Sequence, residues 1–188
     1  MQGYIALFRG INVSGQKKIK MADLKVLFQN LGFNDIQTYI QSGNVVFFAE
    51  QEDHLLLENQ IKIAVNSSFG FDVAITVLTK NKFCDAHNRI PLGNFDVDDI
   101  NEDGAKVYIS FLSQEPEKDM INKLLSYVVA PEKLIIEDKF AYLYCPNGYG
   151  KSKLSNNFIE NKLKVSATTR NWKTVAKIHE MMNIKELV

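Results

Sequence analysis

The chain has 188 residues, with 22 acidic and 22 basic side chains, and 46% of its residues are hydrophobic. This length allows one large domain or two of about 90 residues each, and the composition supports a core without disulfides or metals. No apolar run approaches the roughly 18 residues that a membrane span needs, so we predict a soluble, cytosolic protein. The cysteines, Cys84 and Cys145, lie far apart in apolar surroundings, which indicates reduced core thiols. His54, His87 and His179 share no ligand spacing with them, so we predict neither a metal nor a cofactor.

The neutral total conceals an uneven distribution of charge. Gly148–Val188 holds eight cations and three anions, and Arg9–Lys25 holds five cations and one anion. Asn94–Asp119 holds eight anions and two cations. Basic ends on a neutral chain permit local anion binding, whereas a strong non-specific nucleic-acid binder usually has a net basic domain.

The first half of the chain reads as strand, helix, two strands, helix and strand. Tyr4–Arg9 is apolar on both alternating faces, as in a buried strand, and helical periodicity follows in two later segments. The predicted elements in chain order are Tyr4–Arg9, Met21–Leu31, Ile36–Gln41, Val45–Ala49, Asp53–Phe69 and Asp72–Leu78. A short helix, Lys80–Asn88, is predicted to follow them.

The second half repeats this order after an acidic segment rich in turn residues. The predicted elements are a Val107–Phe111 strand, a Pro116–Val128 helix, a Lys133–Glu137 and Phe140–Cys145 hairpin, a Lys153–Leu163 helix, a Val165–Thr168 strand and a final helix from Trp172. We therefore predict an α+β fold of two tandem ferredoxin-like (βαββαβ) units, 1–90 and 105–188, with an additional helix after each. Residues 91–104 are predicted to form an acidic junction between them.

A glycine-rich loop with two lysines follows the last predicted hairpin. The letters GYGKSK stand between a strand and a predicted helix start, where unpaired backbone N–H groups favour an anion. Cys145 occupies the position of the first glycine of a phosphate-binding loop, so an NTPase is not indicated. The alternative interpretation is a glycine turn with a serine cap and solvated lysines. The candidate ligand-binding residues here are Gly150, Lys151, Ser152 and Lys153.

Two further candidate groups lie at the start of the last helix and after the first strand. The two threonines of Thr168–Trp172 precede an apolar helix pattern, which is typical of an N-cap, and Arg170 and Asn171 follow them. Arg170 could clamp a carboxylate or phosphate, or pair with an acid of the junction, while Trp172 falls on an apolar face and is expected in the core. The remaining candidates are Arg9, Asn12, Ser14 and Lys17 in the first loop and Ser42 and Asn44 around a hairpin turn. The alternatives for these are a mobile surface loop and ordinary turn chemistry.

Four stretches together resemble a bacterial family, domain-of-unknown-function family 1697. They read YIALFRGINVSGQKKIKMADLKVLFQNLGF, TYIQSGNVVF, NGYGKSKL and TTRNWKTVAKI. Ser14 stands where that family usually has glycine. The resemblance covers essentially the whole chain and implies a compact α+β protein of two ferredoxin-like units without an assigned reaction.

The leading hypothesis is a binding module that holds a small phosphate- or carboxylate-bearing ligand in a cleft between the halves. The second is a single-stranded RNA-binding protein that stacks bases on Phe8, Phe47, Phe48, Tyr142 and Tyr144 of an exposed sheet. An enzyme acting on a phosphorylated metabolite and a protein-interaction adaptor stay open, although no general base is evident.

Overall fold

The computed structural model of the protein describes residues 1–13, 15–50, 53–91, 94–95 and 106–183. Most of the predicted acidic junction, 92–93 and 96–104, therefore lies outside the described residues, as does the candidate Ser14. The chain divides into two compact units. Unit 1 holds Met1–Asp85 and the chain from Ile178 onward, and unit 2 holds Ala86–Lys177.

Unit 1 contains a four-stranded antiparallel sheet in the order β2-β3-β1-β4. Its elements are β1 (Gln2–Arg9), α1 (Met21–Asn30), β2 (Asn34–Tyr39), β3 (Asn44–Ala49), α2 (His54–Phe69) and β4 (Ala74–Thr79), and α3 (Lys80–Asn88) follows. The Asp53 side chain caps α2 by accepting a hydrogen bond from Leu55 N, and Gly70 ends that helix in the left-handed conformation.

Unit 2 repeats the arrangement with the strand order β6-β7-β5-β8. Its elements are β5 (Val107–Leu112), α4 (Lys118–Leu125), β6 (Lys133–Glu137), β7 (Phe140–Tyr144), a 3₁₀ turn (Tyr149–Lys151), α5 (Asn156–Leu163) and β8 (Ala167–Asn171), followed by α6 (Trp172–Asn183). The predicted α+β fold, with two βαββαβ-like units and a helix after each, is confirmed.

Each sheet is buried on both faces. In unit 1, Tyr4, Phe8 and Phe47 pack against α1 and α2, and the intervening residues Ile5 and Leu7 are also fully buried. In unit 2, one face packs against α4 and α5. On its other face Tyr142 is fully buried, and its hydroxyl donates to Ala86 O at 3.1 Å.

Three elements of unit 2 differ from their predicted bounds by two or more residues. Helix α4 is shorter at both ends, because the chain tightens after Leu125 into turn bonds such as Tyr127 N to Leu124 O. Helix α5 begins at Asn156, where Ser155 supplies the cap. Strand β8 starts later than predicted and runs to Asn171, because its ladder with β5 continues to that residue.

The fourth strand of each unit lies at a sheet edge, and a glutamate from the preceding helix covers it. In unit 1, Glu58 Oε2 of α2 accepts a hydrogen bond from Val77 N at 3.1 Å. In unit 2, Glu160 Oε1 of α5 accepts from Ala167 N at 2.8 Å. Both N–H groups point away from the neighbouring strand, so each carboxylate satisfies an edge donor that would otherwise be open to another chain.

Candidate functional site

The loop after β1 is held by the amide of Asn12. Its Nδ2 donates to Ile19 O and to Gln41 O, each at 2.9 Å, and its Oδ1 accepts from Ile19 N at 2.9 Å. Asn12 is itself left-handed, with φ 56°, a conformation that asparagine adopts more readily than most residues. The candidate ligand residue Asn12 thus closes the loop on itself and ties it to the β2–β3 turn.

The β2–β3 turn meets the same loop through Gly43. Phe8 N donates to Gly43 O at 2.8 Å. A Cβ on Gly43 would lie 2.5 Å from Ile11 Cδ1 and 2.6 Å from Phe8 Cβ, and φ there is +75°. Only glycine fits this close approach without displacing its neighbours. Asn44 Nδ2 donates to the carbonyl of Tyr39 within the turn, at 2.9 Å.

The remaining unit 1 candidates have mixed surroundings. Arg9 ends β1 opposite Ala74 and is half-buried. The exposed Lys17 reaches across to donate its ammonium to Asp72 O at 2.6 Å. Ser42 is exposed, and its hydroxyl accepts from Asn44 Nδ2 at 3.2 Å. Asn12 and Gly43 therefore hold the two loops together, while Asn44 stabilises the β2–β3 turn from within.

The glycine-lysine loop of unit 2 is not the start of an α-helix. The backbone N–H groups of Lys151 and Ser152 bond within the turn, to Gly148 O and Tyr149 O. The Ser152 hydroxyl accepts from Leu154 N at 3.0 Å, and the helix begins only after Ser155. The expectation that this loop opens a helix directly, as a phosphate-binding loop does, is wrong, because a turn closed by Ser152 separates the loop from the helix that Ser155 caps.

A hydroxyl network holds the loop on the sheet. The Thr169 hydroxyl donates to Asn156 Oδ1 and lies within hydrogen-bonding distance of the fully buried Ser110 hydroxyl. Tyr149 OH donates to the Thr169 hydroxyl oxygen at 3.3 Å, and the Tyr149 ring packs on Tyr108 with centroids 4.9 Å apart. Strands β5 and β8, the 3₁₀ turn and α5 thus meet at one threonine, which sequence reasoning did not single out as a ligand or anchor.

Thr168 and Arg170 lie in β8, opposite Phe111 and Ile109. The prediction that a threonine caps the last helix is wrong, since the strand ladder extends past both Thr168 and Thr169. Asn171 performs that role, and its Oδ1 accepts from Thr174 N at 2.8 Å. Helix α6 follows the strand without a loop.

The Arg170 guanidinium is buried and covers the sheet edge. Its Nη1 donates to Thr169 O at 2.9 Å, a carbonyl that faces away from β5. Burial lowers the pKa of Arg170 to about 10, which leaves the side chain protonated at neutral pH. Trp172, the next aromatic residue, is half-buried and stacks on His87 with ring centroids 4.7 Å apart.

Thr169 and Arg170 point to opposite faces of the sheet, because successive side chains of a strand alternate. Thr169 contacts Tyr149 and therefore faces the glycine-lysine loop. Arg170 faces the side that carries Ile109. Within unit 2 the Arg170 side chain therefore lies on the face opposite to the one that the glycine-lysine loop contacts through Tyr149.

The prediction that five aromatic rings form an exposed platform for RNA binding is wrong for three of them. Phe8, Phe47 and Tyr142 are fully buried, so no base can stack on them in this fold. Phe48 and Tyr144 are half-buried.

Neither cysteine forms a disulfide. Burial raises the pKa of the Cys145 thiol to about 11, which opposes formation of a reactive thiolate. Among the residues that the structure describes, no group of three or more metal-ligating side chains occurs, and no helix is long and apolar enough to cross a membrane.

The paired βαββαβ-like units, each with a four-stranded antiparallel sheet, define an α+β protein. The chain belongs to the family "Protein of unknown function (DUF1697)", which matches residues 1–142. The glycine-lysine loop and the Thr169–Trp172 motif lie beyond the matched range.

The fold is similar to that of the conserved bacterial protein SP0830 from Streptococcus pneumoniae, with a TM-score of 0.74 and 22% identity. The similarity covers 97% of this chain and 99% of that protein. No curated protein matches the chain.

Proposed function

We propose that the protein is a binding module for a small phosphate-bearing ligand, held at the glycine-lysine loop of unit 2. The observation that carries this proposal is the exposure of Lys151 and Lys153 on a loop whose underside is fixed. The two ammonium groups stand two residues apart on either side of Ser152, whose hydroxyl is already engaged by the backbone.

Pre-organisation supports binding at this loop. Tyr149 anchors the turn to Thr169, and Leu154 on its other side is fully buried. A ligand that meets a fixed loop pays less ordering entropy than one that must organise it. The lysine side chains themselves are exposed, so the affinity depends on charge more than on fixed geometry.

The chemistry of the loop favours phosphate over carboxylate. Lysine ammonium groups recognise phosphate as point charges, whereas a planar carboxylate is best held by the two parallel bonds of an arginine. The Arg170 guanidinium lies on the other face of this sheet, so the loop itself offers only lysine. A doubly charged phosphate gains more from two ammonium groups than a singly charged carboxylate does.

A thermal-shift screen tests the proposal. The panel contains inorganic phosphate, nucleotides, sugar phosphates, matched carboxylates and short single-stranded RNA, at low and moderate salt. Saturation at a hundred times Kd adds about 2.7 kcal/mol to the free energy of unfolding, which raises Tm by several degrees. The shift is expected to shrink as salt screens the two charges.

The double variant Lys151→Ala/Lys153→Ala is expected to abolish the shift. Lys118→Ala/Lys123→Ala removes the same charge from the exposed positions of α4 and serves as the matched control. Equal stabilisation of the loop variant and the wild type by a phosphate ligand, or no stabilisation of the wild type by any phosphate compound, refutes the proposal.

A further inference from the structure

In the two sheets that the structure describes, three of the four edge strands carry a feature that discourages pairing with another chain. Strands β4 and β8 are covered by Glu58 and Glu160, as described above. Strand β2 is irregular, since its register with β3 shifts between Asn34 and Gln37 and Asp35 is left-handed with φ 52°. Bulges and charged covers are the means by which proteins protect edge strands.

Strand β6 is the exception among these edges. It pairs with β7 in an unbroken register from Lys133–Tyr144 to Glu137–Phe140. In the described part of the chain no strand pairs with its outer side. Because backbone hydrogen bonds alternate along an antiparallel ladder, the backbone N–H and C=O groups of Lys133, Ile135 and Glu137 face β7. Those of Leu134 and Ile136 therefore point outward.

The sequence of β6, KLIIE, is self-complementary in charge. In an antiparallel pair related by a two-fold axis at Ile135, Leu134 of one strand lies opposite Ile136 of the other, and their outward groups exchange hydrogen bonds. The same register places Lys133 opposite Glu137 twice. We propose that β6 pairs with β6 of a second copy of this chain, which joins two four-stranded sheets into one of eight.

The charged side chains keep the capacity for these contacts. Arg89 binds Asp138 at 2.6 Å and Glu137 only at 3.5 Å, so the Glu137 carboxylate retains lone pairs for a second cation. Lys133 Nζ donates to Asn94 O at 2.8 Å, and an ammonium has three donors. Opposite charges directly across a strand pair stabilise it, and like charges there destabilise it.

Exposed apolar side chains lie beside the start of this edge. Tyr127 is 41% exposed and Val129 is 67% exposed, and both belong to the segment that leads into β6. In the two-fold arrangement this segment adjoins the hairpin turn of the second copy. Burial of these apolar side chains adds to the area that the five paired residues of β6 bury. The interface is still at the small end of specific protein–protein interfaces, so the dimer is weak.

Sedimentation equilibrium of the full chain from micromolar to millimolar concentration tests the pairing. The wild type is expected to show a reversible monomer–dimer equilibrium. Lys133→Glu places two glutamate pairs across the axis, and Glu137→Lys places two lysine pairs there. Each variant alone is expected to dimerise about tenfold more weakly than the wild type.

An equimolar mixture of the two variants restores both opposite-charge pairs, so it is expected to form a heterodimer as tight as the wild-type dimer. Misfolding of either variant, checked by circular dichroism, cannot produce that rescue. Lys118→Glu, on α4, is the matched charge-reversal control and is expected to leave dimerisation unchanged. A wild type that stays monomeric throughout, or a dimer that neither charge reversal weakens, overturns the proposal.

Discussion

Removing the Asn12 side chain should unlock the first loop and lower the stability of the protein. The amide makes three hydrogen bonds of 2.9 Å, two with Ile19 and one with Gln41. At about 1 kcal/mol for each, their loss amounts to roughly 3 kcal/mol. Alanine adds about 1 kcal/mol, because it disfavours the left-handed backbone of this position. We therefore expect Asn12→Ala to lower the free energy of unfolding by about 4 kcal/mol.

Asn12→Gly separates the two contributions. Glycine adopts a positive φ freely, so this variant loses the hydrogen bonds without the backbone strain and is expected to lose about 3 kcal/mol. Urea unfolding followed by far-ultraviolet circular dichroism measures both changes. Asn30→Ala, at the exposed end of α1, is the control and should change stability by less than about 0.5 kcal/mol. If Asn12→Ala is no more destabilising than Asn30→Ala, the amide does not lock the loop.

Gly43→Ala is expected to lower the free energy of unfolding by about 2–4 kcal/mol, since the added Cβ clashes and φ is positive there. Gly70→Ala, with a similar φ but open space around it, should lower it by only about 1 kcal/mol. Equal losses in urea unfolding would argue against the close packing at Gly43. Tyr142→Phe leaves a buried carbonyl without its donor and should cost about 1–3 kcal/mol in the same assay, and an unchanged midpoint would contradict this. Burial raises the pKa of Cys145 to about 11, so its thiolate is scarce at pH 8. Iodoacetamide should therefore label the less buried Cys84 first, and Cys145 only after unfolding, as measured by mass spectrometry. Equal labelling rates in the native protein would be inconsistent with this reasoning.

Periodicity predicted the fold well where each element has its own local signal. The alternation around Val107 and the apolar stripe of α2 gave these elements to within one or two residues. The pattern missed the end of β8, because Thr169 and Asn171 suit either a strand or a helix cap. Pairing with β5 makes these residues a strand, and that contact joins distant parts of the chain that no short stretch of sequence contains.

The candidate site was only partly readable from the sequence. The exposed lysines of the glycine loop were found from composition, since charge and glycine are local properties. The role of Asn12 was not, because its partners Ile19 and Gln41 are backbone groups that any residue carries. Thr169 was missed for a related reason, as a threonine becomes an anchor only when folding brings Tyr149 to it.

The glutamate that covers the fourth strand of each unit bears on how the two halves can be compared. Glu58 precedes its partner Val77 by 19 residues, and Glu160 precedes Ala167 by only 7. The spacing differs by twelve residues, while the contact between the second helix and the fourth strand is the same. A search for internal repeats that assumes one fixed period would align one glutamate and lose the other. In this chain the two units share the contact between helix and strand but not its sequence spacing, so their similarity is easier to detect from the structure than from the sequence.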